Sequence, residues 1–556
     1  MAKNSTSETF TRSGSITAPL REPIYRRIWF ASLFSNFGLL IQGVGAAWAM
    51  TQMSSDAEMV ALVQSCSMLP QMLWSIPSGA IADMFDRRKV ALAGLILSLV
   101  AATALSLLAW LASVSPPVLL AFCFLIATGM ATYTPAWQAS AAEQVPYEVL
   151  PQAVALNSIS YNIARSFGPA IGGVIVALAG SAAAFATNAA FYLPLIVVLL
   201  LWRRTLPPAR LPPERVDRAI ITGVRYVFHS PPVRAVVIRT FMMGTLGGSV
   251  SALMPLIARS LLHGGVLTYG IILGAFGTGA VGAALLVSRA RRRLSVEAIV
   301  TGSAAILGVA MMLVGLSQWT ALTAVELVVA GGMWMLGVAQ FNIAVQTASP
   351  RWVAGRTLAT YQASVTGGIA FGGWIWGTFA ERHGVSLALI VSGALMLISP
   401  LAALRLRMPR PANPNDTTLA GTSEPNVSLA LTLQSGPIVV EIEYEIPPDQ
   451  AREFYQLMLK VQLYRQRNGA YAWSIARDIG NSSLWTERYQ CPTWLDYLHQ
   501  RSRSTHAERQ LQGSAAALHS GSSPIRIRRL LERPFGSVRW RESARDLGVM
   551  NVFPLH

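Results

Sequence analysis

Lysine is almost missing from this sequence: Lys3, Lys89 and Lys460 are the only three in 556 residues. Charge of any kind is scarce, at 13% of the chain, where soluble globular chains carry about a quarter. With 53% hydrophobic residues, too little charge remains to coat a soluble core of this size, and the composition implies a membrane protein. Cysteine is rare too. Cys66 and Cys123 lie in apolar runs and Cys491 far downstream. None forms a CxxC pair or a metal-ligand spacing, which argues for small buried residues rather than disulfides or zinc. No GxxxxGK[ST] loop occurs, which argues against direct drive by ATP. Residues 1–26 have neither an apolar core nor a small-residue cleavage site, so they read as a polar tail.

What the chain does have is long apolar runs with arginine between them. Twelve stretches are long enough to span a bilayer: 28–50, 58–82, 90–113, 116–139, 153–178, 181–202, 235–260, 266–288, 296–317, 320–343, 357–380 and 386–406, each meeting the requirement of about 20 residues. The net charge of +17 gathers in alternate connections. Arg87, Arg88 and Lys89 follow the second stretch. Arg203, Arg204, Arg210, Arg215 and Arg218 follow the sixth. Arg289 and Arg291 to Arg293 follow the eighth, Arg351 and Arg356 the tenth, and Arg405, Arg407 and Arg410 the twelfth. The fourth offers Glu143 and Glu148 instead. The other connections are nearly uncharged, with Arg259, Glu381 and Arg382 as exceptions. By the positive-inside rule both termini are expected in the cytoplasm of a bacterial inner-membrane protein, and the basic balance marks loops rather than nucleic-acid binding.

The expected fold is therefore mostly α: twelve transmembrane helices as two six-helix bundles, 27–203 and 235–406, behind the cytoplasmic tail 1–26. The central connection, 204–234, contains an amphipathic pattern. Ile220, Ile221, Val224, Val227 and Phe228 share a face opposite Arg218 and Arg225, which suits a membrane surface or an ordinary linker helix. The bundles also repeat. The fifth stretch reads "YNIARSFGPAIGGVIVALAG" and the eleventh "YQASVTGGIAFGGWIWGTFA". An offset of 200 aligns Gly168, Gly172 and Gly173 with Gly368, Gly372 and Gly373. An offset of 204 aligns Gly168 with Gly372 and Gly173 with Gly377. The offsets differ by one helical turn, so the sequence leaves both open. Either makes a parallel repeat.

After a polar linker, 407–435, the pattern turns soluble. "PIVVEIEYEI" alternates as a strand, "PPDQAREFYQLMLKVQLYRQ" is an amphipathic helix, and "AYAWSIARD" and "SSLWTERYQ" are strands around a turn. Two helical segments, "PTWLDYLHQRSR" and "THAERQLQGSAAALHS", precede the strand "PIRIRRLLE". The order β-α-β-β-α-β implies a ferredoxin-like α+β domain over 436–535, followed by a tail, 536–556.

Two motifs carry chemistry. "GAIADMFDRRKV" puts Gly79 and Asp83 four residues apart on one helical face, then Asp86, Arg87, Arg88 and Lys89 in the next connection. Glycine admits a close neighbouring helix, and a carboxylate there can meet an arginine or a helix N-terminus. In the fifth stretch, Gly168, Gly172 and Gly173 form a flat packing face and Pro169 invites a kink. Arg165 is an intramembrane cation, costly unless it faces a cavity or a partner.

The first motif resembles the signature loop of the major facilitator superfamily, with Met84 and Asp86 where that pattern has arginine and glycine. The resemblance implies that Asp83 and the arginines latch the cytoplasmic face. "ARSFGPAIGG" resembles the G-P-x-x-G-G signature of that superfamily's exporters, which implies export. The tail segment "SLWTERYQCPTWLDYLHQRSRSTHAER" is similar to the transmembrane secretion effector branch, which includes enterobactin-exporter-like proteins. The domain itself resembles the dimeric α/β barrels of antibiotic-biosynthesis monooxygenases, which implies dimerisation through it.

Polar or aromatic groups deep in a stretch are the pathway candidates: Asn36, Gln42, Gln64, Gln71, Tyr133, Trp137 and Gln138 in the first half, and Glu326, Trp334, Gln340, Asn342 and Gln362 in the second. Glu326 is the single carboxylate well inside a stretch. Apolar surroundings favour a protonated carboxyl, which suits a proton carrier, so Glu326 is the coupling candidate. The expected activity is proton-coupled export of a small molecule through the lipid bilayer by alternating access. The other class is a membrane-anchored enzyme or sensor, with Trp473, Trp485, His499 and His506 as groups that could support oxygen chemistry. No cofactor or metal is implied.

Overall fold

The computed structural model describes residues 17–140, 144–146, 149–202, 224–349, 353–409, 427–429, 431–502, 506–521 and 524–532, apart from the side chains of a few helical residues, Asp83 and His506 among them. Glu143, Glu148, Arg203 to Arg218, Arg351, Arg410, most of the linker and the segment 536–556 lie outside the described residues. So does most of the amphipathic pattern in the central connection, of which 224–228 is helical. The chain divides into two compact units. One comprises 1–220, 235–344 and 358–408; the other comprises 221–234, 345–357 and 409–556.

The first unit is helical. Its first half holds α1 (Pro23–Met53), α2 (Ala57–Met84), α3 (Arg87–Trp110), α4 (Pro116–Ser140) and α5 (Leu150–Leu201). Its second half holds α6 (Pro231–Leu256), α7 (Val266–Arg293), α8 (Val296–Leu316), α9 (Thr320–Ala348), α10 (Ala354–His383) and α11 (Val385–Ile398). Apolar side chains demand helices here because lipid offers backbone groups no hydrogen bonds. The breaks have local causes. Gly180, at φ 77°, interrupts the 52-residue α5, a backbone state that costs glycine little. Gly384, at φ 88°, separates α10 from α11 in the same way. Asp86 starts α3: its carboxylate accepts from the Arg88 amide at 2.9 Å and the Lys89 amide at 3.4 Å, an N-cap worth about 1 kcal/mol.

Among the described residues, nine helices are long and apolar enough to cross a membrane. One of them, Ile159–Leu201, covers two of the expected stretches. The stretches expected at 58–82 and 357–380 form α2 and α10 but are not among the nine. These two helices meet each other. Ser65 of α2 donates its hydroxyl to the Ala370 carbonyl of α10 at 2.7 Å.

The second unit carries a four-stranded antiparallel sheet. In chain order come β1 (Ile438–Glu445), α12 (Ala451–Arg467), β2 (Tyr471–Arg477), β3 (Leu484–Cys491), α13 (Trp494–Ser502), α14 (His506–Ala517) and β4 (Arg526–Leu531). Every strand and helix expected in the tail is present. The sheet order is β2-β3-β1-β4. In β1, Ile438, Val440, Ile442 and Tyr444 turn to the core, the period of two that a half-buried strand requires. Phe454, Met458 and Val461 of α12 share the helix face that covers them. Each such side chain contributes about 1.5–3 kcal/mol by leaving water.

Part of the central connection belongs to this unit. Tyr226 is 1% exposed, and the Arg467 guanidinium stands 5.4 Å from its ring centroid. Burial lowers the pKa of the adjacent Arg225, and Asp496 of α13 acts against that shift.

Candidate functional site

The two halves of the helical unit meet along glycines. A Cβ placed on Gly173 of α5 would lie 3.1 Å from the Gly270 Cα and 3.3 Å from the Val266 carbonyl oxygen, both on α7. A Cβ on Gly373 of α10 would lie 2.6 Å from Ser65 Oγ and 3.3 Å from the Ala61 carbonyl oxygen, both on α2. Each of these glycines therefore faces the opposite half. Their neighbours face inward to their own half. Gly168 and Gly172 pack on Leu40 and on Ile41 and Val44 of α1, the first helix of the first half. Gly368 and Gly372 pack on Phe241, Gly244 and Thr245 of α6, the first helix of the second half. Both offsets match glycines by what they touch: 200 pairs Gly173 with Gly373 and 204 pairs it with Gly377, and all three meet the opposite half. Gly377 meets Ala61 and Glu58 across the seam. Pro169 sits within the continuous helix of α5, and its carbonyl oxygen is part of the Gly270 contact.

The seam is strongest toward the uncharged connections. Glu381, near the end of α10, accepts the amide of Ala57 at the N-terminus of α2, where the helix dipole favours a carboxylate. Glu381, a charge on an otherwise nearly uncharged side, thereby has a partner in the other half. Trp48 of α1 stacks with Tyr269 of α7, ring centroids 6.3 Å apart. Toward the basic connections, Gly79 of α2 and Gly282 of α7 have no atom within 4 Å of a built Cβ among the described residues.

The charged loop is distributed differently from a single latch. Asp86 is the α3 cap already described. The Arg88 guanidinium donates to the Leu200 carbonyl at 2.6 Å, closing the C-terminal end of α5, where a cation suits the dipole. Lys89 is exposed. The Asp83 side chain lies outside the described residues.

The pathway candidates differ in their contacts among the described residues. Asn36 donates to Ser160 Oγ at 3.3 Å, and Gln42, 4% exposed, accepts from Asn188. Both bridge α1 to α5 within the first half. Tyr133 and Trp137 are buried and stacked, centroids 6.2 Å apart, whereas Gln138 is exposed and Gln64 and Gln71 are half-buried. Arg165 is half-buried, with no ion-pair partner among the described residues. In the second half Trp334 packs against Gly247 of α6, Asn342 is half-buried, and Gln362 is exposed. Two groups are left polar and buried. Gln340 has no hydrogen-bond partner for either side-chain atom, and Glu326 has none for Oε2, among the described residues. An unmet buried polar group costs about 1–3 kcal/mol, so these two sites are retained against a penalty.

Sequence reasoning missed Asn188, Ser65 and Arg239. Arg239 is 6% exposed and joins Glu297 of α8 at 2.6 Å and the Leu406 carbonyl at 3.2 Å. Glu297 also accepts the Met408 amide at 2.8 Å. This clamp ties α6, α8 and the end of the helical unit together at the basic side. An arginine at the fifth residue of the expected stretch 235–260 was the available signal.

The chain is similar to known proteins. The family described as transmembrane secretion effector matches residues 14–535. An enterobactin exporter of Shigella boydii is 26% identical over 414 residues, covering 70% of this chain and 94% of that one. The multidrug efflux pump Tap of Mycolicibacterium fortuitum is 24% identical over 395 residues, covering 68% and 94%. Among solved structures, a bacterial homologue of the human lysosomal transporter Spinster, inward-facing and unoccupied, superposes with a TM-score of 0.56 at 14% identity. It covers 70% of this chain and 99% of that one. A D-xylose-proton symporter gives 0.55 at 11% identity, covering 69% and 98%. At such identities the likeness is one of fold.

Proposed function

Because the chain belongs to the transmembrane secretion effector family of major facilitator transporters, we propose that it exports a small molecule, a siderophore or a drug-like compound, in exchange for protons. The observation that carries this reading is the paired seam. Gly173 of one half and Gly373 and Gly377 of the other join the halves, while Gly172 and Gly372 tie each helix to its own half. That division lets two rigid bundles rock about a central site, as alternating access requires. The full count is twelve spanning helices in two bundles of six, with both termini and the basic connections in the cytoplasm of a bacterial inner membrane. The conformer is the one closed at the uncharged side and open at the basic side.

In this reading Asp83, with Arg87, closes the basic side in the opposite conformer. Asp83→Asn then slows efflux while membrane insertion stays normal; wild-type rates would reduce the loop to a topology signal. Glu326 carries the proton. It is 8% exposed with Oε2 unpartnered among the described residues, so little but the protein competes for its proton. Glu326→Gln is expected to abolish the pH dependence of efflux, measured with a fluorescent substrate in inverted vesicles under an imposed proton gradient. Unchanged pH dependence removes Glu326 from the coupling scheme.

We read the tail as a ferredoxin-like module accessory to transport, because its sheet order is that of the split βαβ arrangement. Its resemblance to dimeric barrels makes it the candidate dimerisation element. Deleting residues 412–556 while efflux persists is the expected result. Loss of efflux in an inserted, folded protein would make the tail part of the transport machinery.

A further inference from the structure

The tail holds a cavity of about 400 Å³ between its sheet and its three helices, within the size range of small-molecule sites. Its chemistry is out of keeping with a core. β4 pairs with β1 so that Ile527 faces Ile442, Arg529 faces Val440 and Leu531 faces Ile438. Arg529 thus stands between two apolar residues on one face of β4, an edge strand, and its side chain is exposed at the mouth of the cavity. It is held there by a hydrogen bond from its Nε to the Tyr497 hydroxyl at 2.7 Å. Arg465 reaches the cavity from α12. Its side chain is 10% exposed and its charge is met by Glu487 at 3.0 Å, which also accepts from Trp473 Nε1 at 3.0 Å. Burial alone would lower the Arg465 pKa, but Glu487 carries it the other way, so the guanidinium stays charged. Its face lies over the rings of Tyr489 and Tyr464, at 4.6 and 5.0 Å.

Two more arginines converge. Arg501 of α13 and Arg509 of α14 also line the cavity, and neither has an ion-pair partner among the described residues. No carboxylate is among the described lining residues. With Arg465 neutralised by Glu487, three positive charges from three different elements surround one space. An independent sign comes from Gln500. It lines the same cavity, is 3% exposed, and its Nε2 has no hydrogen-bond partner among the described residues. A donor buried without an acceptor carries a cost that an incoming acceptor relieves. Guanidinium groups match carboxylates with two parallel hydrogen bonds. Tyrosine faces and the aliphatic wall of Val440 and Ile442 suit a flat apolar body.

We propose that this cavity binds a small organic anion: a carboxylate carried on an aromatic ring. The carboxylate lies between Arg529, Arg509 and Arg501 and accepts from Gln500, and the ring lies against the tyrosines. The site is separate from whatever the helical unit carries, and the proposal stands or falls independently of the export reading.

The test uses the full chain purified in a neutral detergent and titrated calorimetrically with 1-naphthoate. The neutral isostere 1-naphthylmethanol is titrated in parallel. Naphthoate is expected to bind and the alcohol to bind at least about tenfold more weakly, since the alcohol forfeits the charge-assisted bonds. Arg509→Gln, at an exposed helix position, is expected to weaken naphthoate binding about tenfold without affecting folding. Arg529→Lys, which keeps the charge but loses the fork, should weaken it less than Arg529→Gln. Hydrogen exchange should show protection by naphthoate confined to residues 464–529. Absence of binding at millimolar naphthoate, equal binding of the alcohol, unchanged affinity in the arginine variants, or protection only in the membrane helices would each overturn the assignment.

Discussion

Replacing Gly173 by alanine tests the seam most directly. The new Cβ would stand 3.1 Å from the Gly270 Cα and 3.3 Å from the Val266 carbonyl oxygen. Carbon atoms pack best at about 3.5–4.0 Å. Both obstacles are backbone, so neither can rotate away, and α5 and α7 must part by several tenths of an ångström. Overpacking of this kind costs about 1–3 kcal/mol. The contact exists only while the halves are closed at the uncharged side, so the cost falls on that conformer alone. Every 1.4 kcal/mol is a factor of about ten, so the population should move roughly fivefold to a hundredfold toward the opposite conformer. Gly372→Ala is the control. Its Cβ would run into the Thr245 carbonyl oxygen within one half, a contact that rigid-body rocking preserves, so the cost should appear as lost thermal stability. Spin labels at exposed Ser113 and Gln318, one in each half near the uncharged side, give the readout by electron-spin distance measurement. Gly173→Ala and Gly373→Ala should enrich the long distances, and Gly372→Ala should lower the melting temperature at unchanged distances. The reverse pattern, or no change in the two seam variants, would refute rigid halves closing on a glycine seam.

Two further predictions concern the tail. Burial, aided by Asp496, pushes the Cys491 thiol up to about 12. Maleimide at pH 8 should therefore leave Cys491 unmodified until the domain unfolds, as mass spectrometry of the peptide can read. The sign also fixes a pH dependence. An unfolded thiol ionises near pH 8.5 and the folded one far higher, so this group destabilises the fold as pH rises above about 8.5. Arg465→Met leaves Glu487, 0% exposed, without its cation. The expected loss is about 3–5 kcal/mol, seen as early proteolysis of the tail, and Glu487→Gln in the same chain should recover part of it.

Much of the architecture was readable because lipid and water impose strong patterns. Long apolar runs gave the helices, and the alternation in "PIVVEIEYEI" gave β1. The repeat offset was not readable, since Gly168, Gly172 and Gly173 offer matches one turn apart on the same helix face. Even the touching helix is the same under either offset, since Gly373 and Gly377 both meet α2. Asp86 was ambiguous for a similar reason. A carboxylate before "RRKV" serves a latch or an N-cap equally well in sequence, and the Arg88 and Lys89 amides show the cap. Gln42 could be marked as polar within a span, but its partner Asn188 is 146 residues away, and no local pattern links them. Arg529 was hidden by "RIRRLLE", where both faces of the strand carry arginine and strand register alone places Arg529 on the face that lines the cavity.

The contact between Tyr226 and Arg467 has a consequence for how the chain is made. Tyr226 leaves the ribosome before the second half of the helical unit exists, and Arg467 only after it. Until the tail has been synthesised and folded, the ring of Tyr226 lacks the cover it has in the finished protein. The middle of the polypeptide thereby registers whether translation reached the tail. A prematurely terminated chain would display an aromatic side chain beside the entry to α6, the kind of exposed apolar surface that cellular proteolysis recognises.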